Sequence, residues 1–138
     1  LGKWRVSEVI AYFNSDIKSI WDVVTNNEDY KWRSDIERVE IINKGESFIE
    51  YNHKGQAVKF TITNKKKYEK YEFRMENKFF YGFWTGTFFS LETGGTKIIF
   101  TEKIYIRNPI MKIMSYLFLN LKKMQQNYIV DLKNKLGD

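Results

Sequence analysis

Residues 79–106 read FFYGFWTGTFFSLETGGTKIIFTEKIYI. Two alternating runs, Phe79 to Glu92 and Thr96 to Ile106, flank Thr93-Gly94-Gly95, which is a hairpin signal. A three-residue loop with glycine in the left-handed position pairs Glu92 with Thr96. Ser90 then falls opposite Ile98, Phe88 opposite Phe100, Gly86 opposite Glu102 and Trp84 opposite Ile104. One face of this hairpin is apolar except for Glu102, with small residues at Gly86 and Ser90. The other face holds Thr85, Thr87, Lys97, Thr101 and Lys103 and suits solvent. Strand side chains alternate, so one assignment fixes all the others. Glu102 is therefore expected to point inward, among Trp84, Phe88 and Phe100.

Just downstream, Pro109 opens a helical pattern from Ile110 to Leu136. Proline is favoured at a first helical position because its missing N–H would be unpaired there anyway. A stripe at helical spacing runs through Ile110, Met114, Leu117, Leu121, Met124, Tyr128 and Leu132. The first half is apolar well beyond that stripe, with Met111, Ile113, Tyr116, Phe118 and Leu119, so it needs cover on more than one side. Core, a bound apolar molecule, a partner or a membrane would each supply it.

Upstream, Trp4 to Phe13 reads as a first strand. Asn14-Ser15-Asp16 is a helix-capping cluster, and the helix it starts carries Ile17, Ile20, Trp21 and Val24 on one face before stopping at Asn26-Asn27. A second short helix or turn, Glu28 to Asp35, holds Tyr30 and Trp32. Strands at Glu37–Asn43, Ser47–Asn52, Ala57–Thr63 and Lys67–Glu76 alternate with turn signals, the mark of an antiparallel meander. Lys65-Lys66-Lys67 reads as a solvated hairpin tip. A sheet of this kind has one face to bury, and the last helix, on the order of 40 Å if helical throughout, is its natural cover.

The chain has 138 residues, enough for one domain, 1–138, with a sizeable core. A net charge of +6 permits contact with nucleic acid or an anionic membrane without arguing for either. There is no cysteine, so disulfides, thiolate chemistry and cysteine-based zinc sites are excluded. No nucleic-acid motif, phosphate loop or metal-ligand spacing occurs, and neither does a membrane-span run or a signal-peptide core. No cofactor, no metal and no nucleic-acid partner are expected, and the expected location is cytoplasmic. The lone histidine, His53, sits in a turn and reads as exposed.

Three stretches carry a resemblance to a known family. Phe13 to Asn26, with its Ile20-Trp21 pair, is similar to the strand-then-helix opening of the START-like superfamily (SRPBCC or Bet v 1-like), and within it of polyketide cyclase/dehydrase-type proteins. Asp29-Tyr30-Lys31-Trp32 followed by Ile36 to Glu40 resembles that family's helix-to-strand passage. Gly95 to Glu102 looks like its Gly-Thr-led strand before the last helix. The family usually has a proline after the first strand; Asn14-Ser15-Asp16 stands there instead. The resemblance implies an α+β helix-grip fold: a curved seven-stranded antiparallel sheet round a long C-terminal helix, with two short helices between the first two strands. It also implies a pocket for a hydrophobic or amphipathic small molecule.

Three functions follow as expectations. The first is binding or transport of a hydrophobic small molecule or lipid, with Trp32, Tyr71, Trp84, Phe88, Phe100, Glu102, Met114, Leu117 and Leu121 lining the site. The second is a cyclase/aromatase or dehydratase with Glu102 as acid or base, since a carboxylate facing an apolar cavity has a raised pKa. The third is lipid delivery through transient membrane contact, with Met111, Tyr116, Phe118 and Leu119 exposed and Lys112, Lys122 and Lys123 meeting headgroups. A structural Glu102 paired to a core Arg or Tyr, or wetted at the rim, is the competing reading; Asp35, Arg38 and Arg74 are candidate neighbours. A monomer and a homodimer are both compatible with the sequence.

Overall fold

The computed structural model describes residues 4–107 and 120–138. In chain order the elements are β1 (Trp4–Phe13), α1 (Ile17–Thr25), β2 (Arg38–Ile42), a 3₁₀ turn (Asn43–Gly45), β3 (Ser47–Tyr51), β4 (Ala57–Lys66), β5 (Lys70–Glu76), β6 (Phe80–Ser90), β7 (Thr96–Ile106) and α2 (Leu121–Leu136). The strands form one antiparallel sheet in the order β1-β7-β6-β5-β4-β3-β2. The meander thus closes back on β1, whose inner side also carries α2.

Local sequence explains the joints. Asp16 caps α1 by accepting a 2.8 Å bond from the Ser19 N–H, satisfying one of the helix's orphan donors. Gly94 adopts φ +89° and its N–H donates to Leu91 O at 3.0 Å. The hairpin loop is therefore Glu92-Thr93-Gly94. Its partner Gly95 lies so close to Phe13 that a Cβ would meet the Phe13 carbonyl at 2.3 Å.

This corrects the expected register by one pair. Ser90 faces Thr96, Phe88 faces Ile98, Gly86 faces Phe100, Trp84 faces Glu102 and Gly82 faces Ile104. The loop is Glu92-Thr93-Gly94 rather than the expected Thr93-Gly94-Gly95, which moves each β6 residue's partner by two along β7 and preserves the faces.

The expected second helix is absent: only α1 lies between β1 and β2. Side chains there capture the backbone groups that a helix would use. Glu28 N–H donates to Asn26 Oδ1, and Ser34 N–H donates to Asp131 Oδ2. β4 runs on through Lys66 past an irregularity between Ile62 and Asn64, so the tip is Lys67-Tyr68-Glu69, and Tyr68 has φ +65°.

The C-terminal helix starts at Leu121, with Asn120 outside helical geometry at its N-cap. Its 16 residues span about 24 Å. Leu121, Gln125, Ile129 and Leu132 are buried, whereas Met124 is 48% exposed. Leu121 and Leu132 are buried as expected, while the middle of the stripe moves one position on, from Met124 and Tyr128 to Gln125 and Ile129. Gln125 is held inside by two bonds to Ser7 of β1. Ser7 Oγ donates to Gln125 Oε1 at 2.7 Å, and Gln125 Nε2 donates to Ser7 O at 3.0 Å. The expected helical turns before Leu121, with Ile110, Met111, Lys112, Ile113, Met114, Tyr116, Leu117, Phe118 and Leu119, lie outside the described residues. Among the described residues no helix is long and apolar enough to cross a membrane.

Candidate functional site

Alternation along β5, β6 and β7 lays a row of rings on the inner, buried face. Phe73 stacks on Trp84 with centroids 4.8 Å apart, and Trp84 meets Phe100 at 4.8 Å. Phe100 meets Tyr128 of α2 at 5.4 Å, and Tyr128 meets Trp32 of the β2-preceding loop at 5.3 Å. Tyr71, Phe88, Phe100 and Leu121 are buried in the continuous core. Of the expected site residues, the structure thus brings Trp32, Tyr71, Trp84, Phe88 and Phe100 into one aromatic assembly, which Leu121 joins through the core. Met114 and Leu117 lie outside the described residues.

The small residues do not leave the space the sequence suggests. A Cβ on Gly86 would come within 2.8 Å of the Trp84 ring and 3.2 Å of Phe100, so those rings fill the gap. Ser90 is exposed at the end of β6.

Glu102 does lie on this face. It is flanked across the sheet by Trp84 and Ser7 and is half-buried. Among the described residues none gives it a hydrogen bond or ion pair. Burial pushes its carboxyl up to about 7, with Glu50 and Asp35 adding to the rise and Arg33 partly offsetting it. The candidate neighbours divide. Asp35 does belong to this group, but Arg38 lies over the Tyr51 ring at 3.7 Å and Arg74 pairs with Glu76 on the outer face.

The interior cation is Arg33, which the sequence reading missed. Its Nη1 donates to Glu50 Oε2 at 2.7 Å, while Nη2 and Nε donate to Asp35 at 2.7 and 3.1 Å. The side chains of Arg33 and Glu50 are only 17% and 13% exposed, so this is a sheltered pair. Burial opposes the charge on Arg33, but Glu50 and Asp35 outweigh it and hold the guanidinium firmly protonated. Arg33 also lies 5.2 Å over the Tyr128 ring. Burial raises the Tyr128 hydroxyl, against the opposing field of Arg33.

Glu50 had a signal that could have found it. Two residues after the buried Phe48 on β3, alternation places it on the inner face. Arg33 had none, because irregular chain has no period.

Beside Arg33 a shallow cleft of about 20 Å³, roughly the room of one water, opens to solvent, lined by residues that include Val24, Asn27, Tyr30, Trp32, Val39 and Tyr128. Asn27 Nδ2 donates to the buried Tyr71 hydroxyl at 3.1 Å. The loop forming the lip is pinned to α2. Ser34 N–H and Oγ both donate to Asp131 Oδ2, at 2.8 and 2.7 Å, and Lys135 pairs with Asp29 at 3.3 Å. His53 is exposed, as its turn position suggests, with Nδ1 2.6 Å from Glu37 and Nε2 2.9 Å from Ser34 O. Both neighbours are acceptors, which favours the doubly protonated ring. Among the described residues no three His, Asp or Glu side chains are grouped to hold a metal ion.

No protein-family model matches the sequence, and no curated protein was found similar to it. Solved structures are similar over nearly the whole chain. The Zhui aromatase/cyclase of a Streptomyces species superposes with a TM-score of 0.80 at 12% identity, covering 96% of this chain and 93% of that one. A START superfamily protein from Mycobacterium smegmatis gives 0.66 at 12% identity, covering 92% and 98%. Norcoclaurine synthase from Thalictrum flavum, in complex with dopamine and hydroxybenzaldehyde, gives 0.73 at 12% identity, covering 96% and 86%. With a seven-stranded antiparallel sheet gripping a C-terminal helix, this chain has the fold of START-like proteins.

Proposed function

We propose that the protein binds a hydrophobic or amphipathic small molecule between the inner face of the sheet and its C-terminal segment. The observation that carries this reading is Glu102. A carboxylate turned inward among aromatic rings, with no hydrogen-bonding partner among the described residues, is costly to keep. Such groups cluster where a ligand or reaction repays the cost. The START-like fold, shared by binding proteins and enzymes alike, is compatible with this role but does not choose it. The test is native mass spectrometry of protein from its own organism, followed by calorimetry with hydrophobic aromatic probes. A co-purifying small molecule, or saturable binding weakened by Trp84→Ala, is the expected result. The absence of both a co-purifying mass and saturable binding would remove the reading.

A second reading is favoured by the pKa of Glu102. A carboxyl near 7 is matched to proton transfer at neutral pH, and a cyclase or dehydratase would use it as acid or base. Under that reading Glu102→Gln abolishes turnover of a polyketide-like substrate while leaving its binding intact. Turnover that survives the substitution excludes Glu102 from the chemistry.

A further inference from the structure

The charges of the inner-face site do not balance, and the imbalance points to the head group of the ligand. Three carboxylates, Asp35, Glu50 and Glu102, share the field of one cation, Arg33. Arg33 directs its hydrogen bonds to two of them, Asp35 and Glu50, at distances down to 2.7 Å. Among the described residues no other cation is felt at Glu102. The third carboxylate is therefore left over, on the face where rings are densest. Trp84 stands directly across the strand pair from it, and Phe100 precedes it by two residues on the same face. Tyr128, 5.4 Å from Phe100, continues the ring wall toward the cleft.

An unpaired carboxylate beside aromatic faces is the chemistry that receives an organic cation. The carboxylate supplies charge and acceptor lone pairs, and the rings supply cation–π attraction. A carboxylate ligand would instead add a fourth negative charge to a half-desolvated site. Resting on the small-molecule reading above, we propose that the site takes an aromatic amphiphile with a protonated amine head set against Glu102, and discriminates against carboxylates of the same shape.

The test is calorimetric titration of the full chain with naphthylethylamine, naphthylethanol and naphthylacetate, which differ chiefly in the head group. At pH 8 the amine is expected to bind at least about tenfold tighter than the alcohol, and the acetate weakest. In Glu102→Gln the amine-to-alcohol ratio should fall toward one. Acetate binding as tightly as amine to the wild-type chain overturns the proposal, and that ranking needs no variant. Alcohol binding with no preference for amine also overturns it, while leaving the small-molecule reading in place. Failure of all three probes to bind overturns both.

Discussion

The two faces of the sheet treat charge in opposite ways. On the outer face carboxylates are paired where pairing is worth least. Glu76 meets Arg107 at 3.2 Å and Arg74 at 3.8 Å, and Glu72 meets Lys70 at 3.7 Å and accepts from Thr85 at 3.1 Å. Cations there also cover exposed rings, with Lys103 4.8 Å over Trp4 and Lys97 5.7 Å over Phe89. On the inner face Arg33 serves Asp35 and Glu50, and among the described residues Glu102 has neither bond nor ion pair. Surface pairs contribute little because water competes for them, whereas a sheltered charge without a partner costs several-fold more. The outer face keeps its charges in water, beside exposed side chains such as Val6, Ile10 and Phe83. The inner face carries a cost that stability alone does not explain.

The largest way to break this contrast is to remove Arg33, the interior cation among the described residues. Arg33→Ala leaves Glu50 and Asp35 facing each other, and denaturant unfolding should show a loss of about 3–5 kcal/mol. A loss under 1 kcal/mol would mean that water already screens the cluster.

Glu102→Gln should act the other way, and only above a certain pH. The folded-state pKa lies above the ordinary value of 4.5, at about 7. The folded protein thus holds a proton that the unfolded chain releases, and stability falls as pH rises between those values. The substitution should stabilise by about 1–3 kcal/mol at pH 8 and leave stability nearly unchanged at pH 4. Equal gains at both pH values would trace the effect to packing rather than charge.

Gly86→Ala tests whether the inner wall is as full as it looks. A Cβ there crowds the Trp84 ring at 2.8 Å, and a cost of about 1–3 kcal/mol is expected by thermal unfolding. A stabilised variant would reveal slack in the ring row. The smallest effect belongs outside: Glu72→Gln should change stability by less than about 0.5 kcal/mol, and a larger change would contradict the division between the faces.

How much of this was legible in the sequence depends on whether a period was present. Strand alternation fixed the faces of β6 and β7, and Glu102 points inward although the pairing moved by one step. That step turned on whether the loop ends at Gly94 or Gly95, and two adjacent glycines read alike. The stripe on α2 drifted from Met124 and Tyr128 toward Gln125 and Ile129. Gln125 is drawn in by Ser7, a partner 118 residues away that no local pattern announces. Arg33 escaped notice for a related reason. Its loop is shaped by Asp131 and Glu50, each supplied by a distant element. Of the site, then, the ring wall, Glu102 and its neighbour Asp35 were readable, Glu50 was open to reading by alternation, and Arg33 was not.

The four tryptophans have an optical consequence. Trp4 sits 40% exposed on the outer face, Trp21 is 3% exposed in the core, Trp32 stands at the lip of the cleft and Trp84 on the inner wall. Each residue therefore reports a different compartment by its emission colour and by its access to a dissolved quencher. Single-tryptophan variants would tell a molecule lodged at the lip from one lodged against the wall, without any label attached to either partner.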